Sequence, residues 1–261
     1  MQLIDTHAHL DHIKNLPAAI ENAVNAGVCS VVAVSEGYCS SRRNLEISKE
    51  FKDCPLNVYP AIGIHPSEAD LEDVGKVQDL IRENASYVKA VGEIGLDYWY
   101  KWVRKDEDRR KRQQQVFISL LKLAMELDIP VIIHSRGAWN DCVDITLGMG
   151  IKKAVFHWYS GPLDVLDRIL EAGYYISATP SLRYSPQSQD AVRHAPLSRI
   201  LIETDSPVYY KSSQSGNDGF YAEPKDVFRV FDAYVRLLGK ENVVEVAEAF
   251  NHNASNFFNL M

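Results

Sequence analysis

The sequence predicts an α/β protein, a single (β/α)8 barrel of the TIM type with additional C-terminal helices. Short β-branched apolar runs alternate with longer amphipathic stretches, which is the pattern of repeated strand–helix units around a buried parallel sheet. The chain has 261 residues, of which 46% are apolar and 24% charged, and barrels of this length commonly form without division. We therefore expect one domain over residues 1–261.

Eight strands are predicted, and eight strands with intervening helices close into a barrel. They span residues 3–6, 30–34, 57–62, 88–92, 130–133, 154–156, 174–177 and 200–203. Residues 113–127 show the helical pattern most clearly, because their apolar side chains recur at helical spacing. After the eighth strand, residues 211–223 are rich in Ser, Gly, Asn and Asp, which predicts an exposed loop beside the barrel mouth. Two C-terminal helices are predicted over residues 226–238 and 242–258.

Composition limits the possible partners and location. The formal charge of −7 and the pI near 5.6 argue against a generally basic surface for nucleic acid, although a local basic patch is compatible with them. No apolar run reaches membrane-spanning length, and Leu3 and Ile4 follow Met1 and Gln2 with no room for a signal peptide. We expect a cytoplasmic monomer with no membrane association. The four cysteines show no CxxC spacing, which favours reduced packing residues.

Histidines and carboxylates of the kind that bind metals follow the predicted strands. The pair His7 and His9 lies two positions apart on an extended segment, which puts both side chains on one face. In a parallel barrel, the residues at the C-terminal ends of all strands meet at one mouth. The candidate ligands are His7, His9, Glu93, His134, His157 and Asp205, and His65 follows a further apolar run.

Four histidines and two carboxylates predict a site for two divalent ions. Neutral imidazoles suit zinc and related transition metals, whereas carboxylates are hard ligands that can also bridge two ions. Zinc, manganese and magnesium are all compatible with this set. Two ions about 3.5–4 Å apart can polarise a phosphoryl or carbonyl oxygen and hold hydroxide as the nucleophile. Hydrolysis is the reaction that such a site favours.

At these residues the chain resembles the TatD family of metal-dependent deoxyribonucleases. Six matching segments run in the family's order over nearly the whole chain, so the ordered set is highly specific although each motif is short. The segments are DTHAHLD at 5–11, GIHP at 63–66, GEIGLDY at 92–98, PVIIHSR at 130–136, HWYSG at 157–161 and ETDSP at 203–207.

The resemblance implies a role for each candidate residue. The resemblance implies that one ion would be held by His7, His9 and Asp205 and the other by His134 and His157, with Glu93 bridging them. The implied catalytic residues are Asp205, which would orient or deprotonate water, Glu93, and His65, which would hydrogen-bond the scissile phosphate. His65, Arg136 and Tyr98 are expected to bind the substrate.

Two segments depart from the family's pattern. Trp158 stands where a small residue is usual after the histidine, and Ala222-Glu223-Pro224 replaces an Asn-Glu-Pro element. Trp158 and Tyr159 would either narrow the mouth or stack on a base. The departures bear on substrate fit and leave the predicted metal ligands unchanged.

Several other residues have two interpretations. Glu203 would face the site or pair with Arg136. The basic run 101–112 is either a solvated helix start or a phosphate contact at the mouth. The aromatic residues Tyr98, Trp99, Tyr100 and Trp102 would stack on bases or pack the loop onto the barrel. His12, His194 and His252 lack strand-end placement and are interpreted as structural.

The predicted function is divalent-metal-dependent hydrolysis of phosphodiester bonds, most plausibly in DNA from an end or a single-stranded region. One alternative keeps the metals and changes the substrate to a cyclic amide, lactone or aminoacyl ester, because two-metal sites serve both chemistries. The discriminating feature is a cationic wall rather than an enclosed apolar pocket. A second alternative is a non-catalytic nucleic-acid-binding barrel with structural metals, which an open coordination position would oppose.

Overall fold

Eight parallel strands follow one another around a barrel in the computed structural model, which describes residues 1–211 and 219–260. Each strand pairs with the next in the chain. The strands are β1 (Leu3–Ala8), β2 (Val28–Val34), β3 (Asn57–Ile62), β4 (Ala90–Gly95), β5 (Val131–His134), β6 (Ala154–Phe156), β7 (Tyr175–Ala178) and β8 (Ile200–Ile202). The predicted fold class is confirmed.

The ring is completed between β1 and the segment that follows β8. Ala8 forms a parallel bridge with Ser206. The backbone N–H of His9 donates to the carbonyl of Ser206 at 2.8 Å, and the N–H of Asp205 donates to the carbonyl of His7 at 2.9 Å. This junction brings the end of the first strand directly against the segment that carries Asp205.

Helices surround the sheet in the described part of the chain. They are α1 (Leu16–Ala26), α2 (Tyr38–Glu50), α3 (Leu71–Glu83), α4 (Glu107–Leu127), α5 (Trp139–Gly148), α6 (Leu163–Glu171), α7 (Pro186–His194), α8 (Val227–Leu237) and α9 (Val243–Phe258). The two predicted C-terminal helices are present with shifts of about one residue at their ends. None of the helices in the described ranges has the length and apolar character that crossing a bilayer requires.

Helix α4 begins six residues before the predicted start at 113. Its N-cap is Asp106, whose Oδ1 accepts a hydrogen bond from the N–H of Arg109 at 3.0 Å. The acidic Glu107 and Asp108 in the first turn complement the helix dipole. Part of the charged run 101–112 is therefore a helix start, and residues 101–105 form the loop before it.

Apolar residues alternate along the strands between two clusters. The larger cluster packs the helices onto the outside of the barrel. The smaller one contains Ile4, Val32 and Ile132 from alternate strand positions and fills the interior. Phe257 and Phe258 at the end of α9 belong to the interior cluster, so the C-terminal helix covers the end of the barrel opposite the predicted site.

The segment 211–223 is not wholly the exposed loop that composition predicts. Strands β9 (Tyr209–Tyr210) and β10 (Phe220–Tyr221) pair as an antiparallel hairpin, and the guanidinium of Arg229 lies 4.3 Å from the ring centre of Phe220. Aromatic packing at the base of this hairpin therefore holds in place the residues on either side of the predicted loop. Residues 212–218 of the predicted loop lie outside the described residues.

Candidate metal centre

The C-terminal ends of five strands bring the predicted ligands together. All but one of the six are buried, and His134 is half-buried. His7 lies on β1 and is followed by His9, Glu93 lies on β4, and His134 ends β5. The other two, His157 and Asp205, follow β6 and β8.

Glu93 lies between two groups of histidines and offers each group a different oxygen. Its Oε2 lies 3.4 Å from Nε2 of His7 and 3.6 Å from Nε2 of His9. Its Oε1 lies 2.6 Å from Nδ1 of His134 and 2.6 Å from Nε2 of His157. One carboxylate therefore connects two sets of imidazole nitrogens.

The spacing in the first group is that of metal ligands. The Nε2 atoms of His7 and His9 face each other at 3.3 Å, and Oδ1 of Asp205 lies 3.3 and 3.2 Å from them. Ligand atoms about 2.0–2.2 Å from one ion at tetrahedral angles would stand roughly 3.3–3.6 Å apart. Oδ1 of Asp205 is buried and accepts no hydrogen bond of good geometry from the described residues, so a cation would satisfy it.

Three of the four histidines have a hydrogen-bond partner on the ring nitrogen that faces away from Glu93. Nδ1 of His9 contacts the carbonyl of Val34 at 3.2 Å, and Nε2 of His134 contacts Oδ2 of Asp97 at 2.9 Å. Nδ1 of His157 lies 3.3 Å from Oε1 of Glu203. Such contacts fix the tautomer and the ring orientation of histidines that bind metals.

The electrostatics favour a cation at this centre. Burial alone would lower the pKa of His9, but Asp205, Glu93 and Glu36 raise it to about 9. Burial alone would raise the pKa of Asp205, yet His9 and His7 lower it to about 2. Without a metal, the carboxylates therefore retain protons on nearby imidazoles, and a divalent ion would replace that positive charge.

Backbone geometry at the mouth permits these close approaches. Gly95 has φ +143, and a Cβ there would lie 2.0 Å from the carbonyl oxygen of His134, so only glycine lets β4 and β5 meet beside the ligand. Asp205 (φ 50) and Trp158 (φ 42) are left-handed residues other than glycine. Such conformations cost energy and concentrate at functional sites.

An open cleft of about 580 Å³ lies over the ligands, and its wall includes His9, His65, Glu93, His134, Arg136 and Asp205. Arg136 donates from Nε to Oδ2 of Asp97 at 2.8 Å, and its guanidinium lies 4.8 Å from the ring centre of Tyr100. Glu203, for which pairing with Arg136 was one of two alternatives, contacts Nδ1 of His157 and accepts from the N–H of Trp158 at 3.0 Å. Of the two interpretations of Glu203, the structure supports the one that faces the site.

The comparisons with known proteins agree with this geometry. The family profile described as TatD related DNase matches residues 4–259. The chain belongs to the TatD-related DNase family. The human protein named deoxyribonuclease TATDN3 is 30% identical over 268 residues, covering 98% of this chain and 94% of that protein. An uncharacterized metal-dependent hydrolase of Methanocaldococcus jannaschii is 32% identical over 264 residues, covering 99% and 97%.

The fold comparison gives the same family. The crystal structure of YjjV, a TatD homologue from Escherichia coli, matches with a TM-score of 0.86 and 28% identity over 99% of this chain and 98% of that chain. The predicted class, a metal-dependent hydrolase of the TatD-related DNase family, is confirmed, and the clusters of His and Glu at the barrel mouth support divalent-metal binding.

Among the described residues, three His/carboxylate groups have spacing that could hold an ion. They are His7 with His9 and Glu93, His65 with Glu93 and His134, and His7 with His157 and Glu203. In the third group, Glu203 contacts Nδ1 of His157, the ring nitrogen on the side away from Glu93. Because Glu203 already contacts His157 Nδ1 and the Trp158 N–H, we interpret it as supporting the His157 ring.

His65 has the hydrogen bonding of a donor to the cleft. The backbone N–H of Ser67 donates to Nδ1 of His65 at 3.0 Å, so this nitrogen is unprotonated and Nε2 carries the proton of the neutral ring. Nε2 lies 3.8 Å from Oε1 of Glu93. Burial is the largest influence on His65 and lowers its pKa to about 3, which keeps the ring neutral.

The two departures from the TatD pattern have different structural consequences. Trp158 lines the cleft and its indole N–H donates to Oγ of Ser181 at 3.0 Å. Tyr159 is buried, with its hydroxyl donating to the carbonyl of Pro162 at 2.7 Å, and it cannot stack on a base. Glu223 accepts from Nδ2 of Asn22 at 2.9 Å, so the Ala222-Glu223-Pro224 element joins α1 to the start of α8, outside the cleft wall.

Tyr98 is not brought into the cleft. It is buried, its hydroxyl donates to Oδ2 of Asp141 at 3.0 Å, and Nε2 of Gln114 donates to the same hydroxyl at 2.8 Å. The position of Tyr98 thus gives no support to the substrate contact expected of it.

The sequence analysis did not place Glu36 or His12 in the cleft, although both line it. Glu36 lies two positions after β2, and its Oε2 lies 3.2 Å from Nε2 of His12. The ring of His12, which was interpreted as structural, lies 5.7 Å from that of His9. The strand-end rule that identified the ligands would also have found Glu36.

Proposed function

We propose that the chain hydrolyses phosphodiester bonds in DNA, from an end or a single-stranded region, with two divalent ions at the barrel mouth. The observation that carries the proposal is the position of Glu93, whose two oxygens serve two separate histidine groups. The name deoxyribonuclease carried by the human relative also supports it.

The donor set fits two ions. One group comprises His7, His9 and Asp205, the other comprises His134 and His157, and Glu93 contributes to both. When bound, the ions would polarise the phosphoryl group as Lewis acids. They would also lower the pKa of a bound water molecule toward neutral pH, so that hydroxide is available as the nucleophile. Because imidazole is a good ligand for zinc, whereas manganese and magnesium prefer carboxylate and water oxygens, we expect zinc to bind most tightly.

The remaining steps belong to side chains of the cleft. A bound cation would favour the ionised form of the Asp205 carboxylate, so Asp205 would accept a hydrogen bond from the attacking water and orient it. His65 would donate from Nε2 to a phosphoryl oxygen as negative charge develops there. The exposed edge of the Arg136 guanidinium would contact the same phosphate group, while Asp97 holds its other edge.

The cleft favours a phosphodiester over a carbonyl substrate. It is open, its lining combines aromatic and apolar side chains with charged ones, and it includes the half-exposed guanidinium of Arg136, whereas a small amide or lactone would be expected to need an enclosed apolar pocket. The open cleft above the ligands also argues against a purely structural metal site. We further propose that residues 1–261 form one domain and that the protein is a cytoplasmic monomer.

The test is turnover of single-stranded and duplex DNA labelled at either end. Metal-stripped protein is measured after restoration of zinc, manganese or magnesium, beside Asp205→Asn and Glu93→Ala. We expect metal-dependent nucleotide release that both variants lose, with retained DNA binding in Asp205→Asn. Intact DNA with every metal, despite two bound ions, would overturn the phosphodiester assignment.

A further inference from the structure

The loop between β4 and α4 separates its four aromatic residues into different environments. Tyr98 is buried beneath the loop, and Tyr100 is half-buried and lines the cleft. Trp99 and Trp102 remain 62% and 49% exposed. The exposed part of each indole is covered by no other described side chain, which leaves that surface available for a ligand.

Tyr100 and Trp102 form a stack that begins at the metal centre. Their ring centres lie 4.2 Å apart with planes inclined by 23°. The Tyr100 ring lies 6.5 Å from that of His65 and 4.8 Å from the guanidinium of Arg136. The stack therefore extends from the groups that would hold the scissile phosphate to an exposed indole.

The stack is held in place before any ligand binds. The backbone N–H of Val103, a buried residue, donates to the carbonyl of Tyr100 at 3.0 Å, and that of Arg104 donates to the same carbonyl at 2.9 Å. On the cleft side, Arg136 is fixed by Asp97, which also holds His134. A rigid aromatic surface loses little entropy when a flat group stacks on it.

The surroundings of the stack match a nucleotide strand. Lys101 and Lys105 lie exposed in the same loop and form no ion pair with the described residues, so their charges remain available for phosphates. Alternation of an aromatic platform with nearby cations is the arrangement by which proteins hold single strands without reading sequence. A protein partner would not explain why the platform begins inside the cleft.

We propose that the exposed surface of Trp102, supported from behind by Tyr100, binds the base of a nucleotide adjacent to the scissile phosphate, as a stacking subsite of the cleft. This inference rests on the proposed phosphodiesterase function. Because every base has an aromatic face, the subsite accepts any base, and it requires that base to be unpaired from a complementary strand. It contributes to binding of the polymer and leaves the chemical step to the metal centre.

The kinetic test compares Trp102→Ala, Trp102→Phe and the matched control Trp99→Ala in zinc-loaded protein. We expect Trp102→Ala to raise KM for a single-stranded oligonucleotide about tenfold with little change in kcat, and Trp102→Phe and Trp99→Ala to stay near wild type. An unchanged KM in Trp102→Ala, or an equal loss in Trp99→Ala, would overturn the subsite.

A binding measurement separates this inference from the proposed function. Anisotropy reports the affinity of zinc-loaded wild type and Trp102→Ala for a phosphorothioate oligonucleotide with normal bases and for its fully abasic counterpart. We expect removal of the bases to weaken wild type about tenfold and to have little further effect on the variant. Equal sensitivity of both proteins to base removal contradicts the subsite, whether or not DNA is cleaved.

Discussion

Oδ2 of Asp97 lies 2.9 Å from Nε2 of His134, while the other ring nitrogen of that histidine faces Glu93. The same carboxylate oxygen accepts a hydrogen bond from Nε of Arg136 at 2.8 Å. One acid thus orients both a proposed metal ligand and the cation beside it. The placement of the ion and of the phosphate-binding edge of the cleft are therefore coupled through Asp97.

We expect Asp97→Asn to weaken binding at the His134 and His157 group roughly tenfold to a hundredfold, because a neutral amide holds the imidazole less firmly. Zinc titration with a competing chelator measures this loss, and the group with His7 should change less. Asp79→Asn, an exposed substitution on α3, is the control. If both ions bind Asp97→Asn as tightly as wild type, Asp97 does not position His134.

His65→Ala is expected to lower kcat/KM about a hundredfold or more, because a preorganised donor to a developing charge is lost. The number of bound metal ions should remain that of wild type. Because the Ser67 N–H donates to Nδ1 of His65, the ring proton lies on Nε2, and a protonated nitrogen is not a metal ligand. His65→Gln, which can still donate, should recover part of the activity. Elemental analysis decides the alternative role, because loss of one ion from His65→Ala would identify it as a ligand.

Asp5 connects the segment that carries His7 to the segment that carries Asp205 through hydrogen bonds with Thr204. Its Oδ1 accepts from the N–H of Thr204 at 2.9 Å, and its Oδ2 accepts from the Thr204 hydroxyl at 2.6 Å. Asp5→Ala leaves these buried donors unpaired, so we expect the free energy of unfolding to fall by about 2–4 kcal/mol.

Urea denaturation compares Asp5→Ala with Asp70→Ala, whose exposed carboxylate only caps α3 and whose loss should cost about 1 kcal/mol. Asp5→Asn keeps an acceptor and should be milder than Asp5→Ala. Equal stability of Asp5→Ala and wild type would show that this junction does not hold the barrel ends together.

Metal binding is expected to release protons at neutral pH. In the metal-free protein the pKa of His9 is raised to about 9, since Asp205 and Glu93 outweigh the effect of burial, so this ring is protonated below that pH. A ligand imidazole must be neutral, so apparent affinity should fall as pH drops below about 9. Calorimetry in two buffers of different ionisation enthalpy counts the protons, and their absence at pH 7 contradicts the prediction.

The strands and the candidate ligands could be predicted from sequence because both depend on local pattern. A buried strand appears as a short apolar run, and the residue that follows it is placed at the mouth by the parallel topology alone. For this reason His134 at the end of β5 and His157 directly after β6 could be expected to meet without any knowledge of side-chain conformation.

Other features depended on contacts that no local pattern contains. Arg136 pairs with Asp97 rather than Glu203 because the path of the β4–α4 loop decides which carboxylate lies nearest. Tyr98 and Tyr100 are both tyrosines of the same loop, yet only Tyr100 lines the cleft. The hydroxyl of Tyr98 is held beneath the loop by hydrogen bonds with Gln114 of α4 and Asp141 of α5.

The central claim is that Glu93 is shared by two divalent ions, and metal stoichiometry tests it most directly. Zinc bound per chain is measured by elemental analysis after dialysis for wild type and Glu93→Gln, with circular dichroism as the folding control. We predict two ions in wild type and one or none in the folded variant. Two tightly bound ions in Glu93→Gln, or a single ion in saturated wild type, would contradict the shared-carboxylate site.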